Sequence, residues 1–113
     1  PYGNLAVSPA TPAIHYGQSI FEGMKAYRSH NVEVLLFRPL ENFKRLNISA
    51  DRMCMPNVSE EVFMDGLNEL IKLDQQWVPN GKNASLYIRP FLFSADEYIG
   101  IRPSENFDFM IIT

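Results

Sequence analysis

His15-Tyr16-Gly17-Gln18-Ser19-Ile20-Phe21-Glu22-Gly23-Met24-Lys25-Ala26-Tyr27-Arg28 decides how this chain is read. The stretch holds phenol and phenyl rings, an acid, two glycines and two cations. The run from His15 to Glu22 has the length of a short helix, which Gly23 would end. Beyond it, Met24–Arg28 is short and alternates poorly, whereas Val32–Phe37 is apolar and rich in β-branched residues. Ser29-His30-Asn31 between them is turn chemistry, so the two runs read as a hairpin.

Toward the C-terminus, Pro39 stands where a first helical residue stands, and its missing N–H costs nothing there. Phe43, Leu46, Ala50 and Met53 then recur on one face of a helix. Asn42, Arg45, Ser49 and Arg52 form a second, polar stripe at the same spacing. Pro56-Asn57 ends that helix. Ser59 is a good N-cap for the next, and Glu60 and Glu61 suit the positive end of its dipole. Val62, Phe63, Gly66, Leu67, Leu70, Leu73 and Trp77 give this second helix a broad apolar face, which Pro79-Asn80-Gly81 stops. Ser85–Phe93 reads as a strand with Tyr87, Arg89 and Phe91 on one face. Asp96–Pro103 has no regular period and reads as a loop, and Phe107–Ile112 as a last strand. Toward the N-terminus, residues 1–12 carry three prolines and a glycine and read as irregular backbone. Strands and helices are mixed rather than strictly alternating. The expected class is therefore α+β, an antiparallel sheet packed with two main helices.

A chain of 113 residues is one domain's worth. A 46% hydrophobic content suits a packed core and not a disordered chain. The net charge of −3 leaves no basic footprint, so nucleic acid is not an expected partner. No apolar run approaches the roughly 18 residues of a membrane span. No cationic segment followed by an apolar run marks a secretory signal, so the expected compartment is the cytoplasm or a mitochondrion. The single cysteine, Cys54, has no internal partner and sits among apolar neighbours, where a buried, inert thiol is expected. No cysteine–histidine cluster has metal-ligand spacing, and no glycine-rich phosphate loop is present. The chain begins at Pro1 and ends in an apolar strand-like run, which reads as a piece of a longer protein, incomplete at both ends.

Arg45 is the first candidate for chemistry. Away from the apolar stripe, its guanidinium offers a fork of donors that suits a phosphate. Spacing alone favours a solvated surface cation, and Arg38 and Arg52 keep that reading. Tyr87 and Arg89, two apart on a strand, point the same way and make a plausible carboxylate reader. A solvent-facing strand pair is an equally good reading of the same spacing. Phe21 on its own reads as core, and His15 as a packed or hydrogen-bonded histidine.

The opening stretch resembles the first signature of the branched-chain aminotransferases, fold-type IV enzymes that use pyridoxal 5'-phosphate (PLP). Leu36-Phe37-Arg38-Pro39 through Arg45, and Ser85-Leu86-Tyr87-Ile88-Arg89-Pro90, follow in that family's order and at similar spacing. By this resemblance the chain is the small N-terminal domain. A larger C-terminal domain, carrying the PLP-binding lysine, would follow Thr113. No catalytic residue would then lie in this chain. The resemblance implies that Arg45 binds the PLP phosphate. Tyr87 would contact the substrate's α-carboxylate, and Arg89 the side-chain carboxylate of glutamate. Phe21 would line the side-chain pocket. Tyr16 and Ile99-Gly100-Ile101 would reach the pocket of the other subunit of a homodimer. The implied reaction moves an amino group between leucine, isoleucine or valine and 2-oxoglutarate, so the implied partners are amino acids and 2-oxo acids. D-amino-acid aminotransferases and aminodeoxychorismate lyases share the fold type and remain alternatives, as does a non-catalytic binding or dimerisation module of the same shape.

Overall fold

The computed structural model describes residues 3–113. Pro1 and Tyr2, part of the segment expected to be irregular, lie outside the described residues; residues 3–11 are irregular as expected. The elements are helix α1 (Pro12–Tyr16), strands β1 (Ser19–Phe21), β2 (Met24–Arg28) and β3 (Val34–Leu36), helices α2 (Pro39–Arg52) and α3 (Glu60–Asp74), a 3-10 turn (Gln75–Trp77), and strands β4 (Leu86–Ser94) and β5 (Phe107–Ile112).

Strand β4 is the spine of an antiparallel sheet. Its first half pairs with β2, its second half with β1, and its other edge with β5. β2 in turn carries β3, so the expected hairpin forms. The pairs Phe21↔Phe91 and Met24↔Ile88 lie in one unbroken register. β1 and β2 are thus one line of chain, interrupted where Glu22 and Gly23 pass Pro90 and Arg89. The cause is Pro90, which has no N–H to return. Only the Glu22 N–H to Pro90 carbonyl bond forms there, at 2.8 Å.

The expected helix from His15 to Glu22 does not form. Helix α1 begins at Pro12 and ends at Gly17, whose φ of 66° is left-handed. Ser19–Phe21 is instead extended, with Ile20 inward and its neighbours outward. Three residues are too few for that alternation to stand out against a helical reading.

Helices α2 and α3 cover one face of the sheet. Leu46 and Ala50 from α2, and Phe63, Leu67 and Ile71 from α3, meet Ile20, Met24, Ala26, Ile88 and Leu92 from the strands. Phe63 lies between Phe43 and Phe109, at 5.6 and 6.0 Å between ring centroids. Ser59 caps α3 as expected, accepting the Val62 N–H at 3.2 Å. Asn47 fixes the turn between the helices by bonding both the N–H and the carbonyl of Val58, each at 2.9 Å.

Several expected core positions lie outside the core. Val62, Leu73 and Trp77 are exposed, because the sheet reaches only the stripe Phe63, Leu67 and Ile71. Met53 is also exposed, since α2 ends at Arg52, one turn before Pro56. Cys54 follows with φ 52° and is exposed rather than buried.

Candidate active site

The second face of the sheet is largely open, and the candidate residues of β1 and β4 stand on it. Tyr87, Arg89 and Phe91 alternate outward along β4. Phe21 is opposite Phe91, and Lys25 is opposite Tyr87. The Arg89 guanidinium lies 4.3 Å above the Phe21 ring and donates to the Tyr87 hydroxyl at 3.1 Å. Gly23 makes this possible. A Cβ at that position would stand 2.6 Å from the Tyr87 oxygen, so the phenol leans into the space a side chain would fill. Phe21, Tyr87 and Arg89 therefore form one cluster: an apolar plate, a hydroxyl and a cationic fork. Phe21 is exposed there and is no core residue.

Arg45 stands on the other side of the strand. Glu22, buried and pointing toward the helices, accepts from Arg45 Nε at 2.7 Å and from Nη2 at 2.8 Å. Asn42, one turn earlier on α2, donates to the same carboxylate at 2.9 Å and to the Gly23 carbonyl at 3.3 Å. Burial raises the pKa of Glu22. The hydrogen bonds from Arg45 and Asn42 and the charge of Arg45 outweigh it, and the carboxyl stays below its ordinary 4.5. The Arg45 pKa is raised, first by its hydrogen bond to Glu22 and then by that residue's charge. The guanidinium is otherwise exposed, and its bonds to Glu22 engage Nε and Nη2 but not Nη1.

The two places are continuous. One recess is lined by Phe37, Arg38, Glu41, Asn42 and Arg45. A second is lined by Gly23, Lys25, Tyr27, Phe37, Asn42 and Tyr87. They share Phe37 and Asn42, so a groove runs from Arg45 around the strand at Gly23 to Tyr87. Chemically, it offers an arginine for an anion at one end, and at the other a phenol that is itself bonded to the Arg89 guanidinium, a pair suited to a carboxylate.

Tyr16, Gly100 and Ile101 do not join this groove. With Pro12, Gln18, Met53 and Arg102 they line a separate cavity of about 420 Å³. Ile99 and Ile101 project from the β4–β5 loop, and Ile101 is fully exposed. His15 donates through Nε2 to the Pro9 carbonyl, 2.7 Å away, which places it as a structural residue.

The residues that the sequence left without a role are Glu22 and Asn42. Both carried a signal: Glu22 sits inside the opening stretch, and Asn42 is three residues before Arg45 on the polar stripe. Arg28 is a third. It ties the β2–β3 hairpin to the end of α3, donating to the carbonyls of Val78 at 3.1 Å, Val32 at 3.0 Å, and Gln75.

No protein-family model matches the chain. Over 112 residues, 99% of its length, it is 50% identical to a probable branched-chain-amino-acid aminotransferase of Staphylococcus epidermidis. Over the same length it is 46% identical to the branched-chain-amino-acid transaminase 1 of Bacillus subtilis. It spans about a third of those proteins, 31% and 32% respectively. Among solved structures, a branched-chain amino acid aminotransferase complexed with N-(5'-phosphopyridoxyl)-L-glutamate superposes with a TM-score of 0.77 at 27% identity. The match covers 94% of this chain and 34% of that one. The branched-chain amino acid aminotransferase from Escherichia coli superposes with a TM-score of 0.72 at 30% identity, again over 94% of this chain and 34% of that one. In sequence and in fold, this chain matches one third of a branched-chain aminotransferase.

Proposed function

We propose that the chain is the small N-terminal domain of a branched-chain amino-acid aminotransferase. The whole enzyme would exchange an amino group between leucine, isoleucine or valine and 2-oxoglutarate, with PLP as cofactor. The observation that carries this reading is the groove from Arg45 to Tyr87, whose hydroxyl accepts from Arg89 stacked over Phe21.

The residues fit the cofactor's phosphate end. Arg45 is exposed, oriented by Glu22, and lines a recess that Arg38 also lines. A guanidinium held on one side presents its remaining donors in a fixed direction, which suits a phosphate. When bound, PLP supplies the electron sink for the carbanion that forms at the substrate's Cα. This chain's part is to hold and orient. Arg45 would hold the phosphate. Tyr87 would donate its hydroxyl to the α-carboxylate, and Arg89 would pair with the second carboxylate of glutamate. Phe21 would pack on an aliphatic side chain. The lysine that bonds PLP and moves the Cα proton would come from a larger C-terminal domain.

The same reading makes the enzyme a homodimer. The exposed Tyr16, Ile99 and Ile101 would close the side-chain pocket of the other subunit. Among the described residues no helix is long and apolar enough to cross a membrane. The bacterial relatives favour the cytoplasm over a mitochondrion as the compartment.

The test is turnover by the full-length protein containing this chain, with Arg89→Gln beside it. Wild type is expected to transaminate leucine, isoleucine and valine with 2-oxoglutarate. Arg89→Gln is expected to depress turnover of glutamate far more than that of leucine. Equal losses on both substrates would remove Arg89 from the side-chain carboxylate. Activity on D-amino acids alone would overturn the branched-chain reading.

A further inference from the structure

Residues 95–106 join β4 to β5, and a single buried carboxylate closes the base of this loop. Asp96 is 4% exposed. Its Oδ1 accepts from Asn106 N at 2.9 Å and Asn106 Nδ2 at 2.8 Å, and its Oδ2 accepts from Glu105 N at 3.1 Å. Arg102 approaches the same oxygen at 3.6 Å and lies 4.3 Å above the Tyr98 ring. The loop is packed around that stack. A Cβ on Gly100 would stand 2.5 Å from the Tyr98 ring. A second seam runs from Ser94 to Ser104 at 2.6 Å, and from Ser104 to the Gln18 side chain at 2.9 Å.

The tip held by this base is apolar and faces solvent at the edge of the Tyr16 cavity. Ile99 is 68% exposed and Ile101 fully exposed. A slack loop would fold such side chains onto nearby apolar surface. A buried carboxylate is costly unless its oxygens are bonded. Asp96 meets that demand only when Glu105 and Asn106 are brought back to it, so its bonds select one loop conformation. We propose that Asp96 is a positioning residue that holds the Ile99-Gly100-Ile101 tip in one position at the rim of the Tyr16 cavity, preformed as a wall of the substrate side-chain pocket. The proposal rests on the aminotransferase reading above for what the tip contacts, and on the loop's own geometry for how it is held.

The test uses the full-length holoenzyme with Asp96→Asn, Ile101→Ala and the double variant. Asparagine keeps the shape of Asp96 but loses the charge and one acceptor. Asp96→Asn should raise the KM for leucine by about tenfold, the equivalent of about 1.4 kcal/mol. Its kcat and cofactor spectrum should stay near wild type. The double variant should lose clearly less than the sum of the two single losses, because Asp96 acts only through the tip, of which Ile101 is one part. Additive losses, an unchanged KM, or a loss confined to kcat would each overturn the proposal. If Asp96→Asn does not fold, Arg102→Gln removes a contact of the same anchor from the exposed side and should give the same KM-only effect. Failure of the wild type to turn over leucine would sink the parent reading instead. Amide exchange then decides the anchor: Asp96→Asn should exchange faster across residues 97–106 and nowhere else, and unchanged exchange there would refute it.

Discussion

Arg45 keeps a donor available to the groove because Glu22 holds the other side of its guanidinium, at 2.7 and 2.8 Å. Two outcomes follow from that bond. In the proposed full-length enzyme, Arg45→Ala should weaken PLP retention by at least about tenfold, since a charge-assisted contact is lost. Arg45→Lys should restore only part of it, because a lysine has no fork. Cofactor titration of the three proteins checks both, and equal affinities would take Arg45 out of the site. The second outcome concerns acid. A carboxyl whose pKa falls on folding adds stability that is fully present above its unfolded value. That stability fades as pH drops through the lower folded value. Glu22 is such a group. Thermal unfolding of wild type and Glu22→Gln should therefore differ most near pH 7 and converge below the ordinary 4.5. A gap that stays constant down to strongly acidic pH would mean the charge of Glu22 contributes nothing.

At the scale of elements, α3 shows what a sequence can carry. Its N-cap is legible, because Ser59 followed by two acids has one good local reading. Ser59→Ala should cost about 1 kcal/mol by losing the bond to the Val62 N–H. Its buried face is only half legible. Val62, Leu73 and Trp77 are as apolar as Phe63 and Leu67, and nothing local says how far the sheet extends beneath the helix. Leu67, fully buried, is where the packing energy lies. Leu67→Ala should destabilise the fold by about 2–5 kcal/mol, against less than about 0.5 kcal/mol for Leu73→Ala on the exposed side. Chemical denaturation of both variants measures the contrast, and similar losses would contradict the observed face. Strand β1 reads locally as helix because its partner, β4, lies more than sixty residues away. Long-range pairing with Phe91–Phe93 makes Ser19–Phe21 a strand, and no local pattern reports it. The site divides along the same line. Tyr87 and Arg89 share a face by strand periodicity alone, and they do so here. That Gly23 opens the space for Tyr87 depends on the register of β2 on β4, and that Glu22 braces Arg45 depends on α2 packing beside that strand, and only the fold supplies both.

At the scale of the whole molecule, α2 and α3 cover one face of the sheet, and the groove passes from that side around the strand at Gly23 to the other. The lysines are placed accordingly. Lys44 and Lys72 lie exposed on the outer surfaces of the helices, paired within one turn to Glu41 and Glu69. Lys82 lies exposed in the loop before β4. Lys25 is the lysine that lines the groove, exposed and opposite Tyr87. A lysine that bonds PLP and then moves the proton at Cα must be held within hydrogen-bond reach of that carbon, shielded from bulk water. None of the four is enclosed, and Lys44, at the Arg45 end of the groove, is held outward by Glu41. The chain by itself should therefore not transaminate, even with PLP added. The check is to mix the 113-residue chain with stoichiometric PLP and record the visible spectrum. Borohydride reduction then fixes any lysine adduct, and mass spectrometry maps it. The expected result is no turnover of leucine and only partial, scattered labelling, with Lys25 no more than one site among several. Stoichiometric labelling of a single lysine together with turnover would show that the chain holds a complete site, and the assignment of the lysine to another domain would fall.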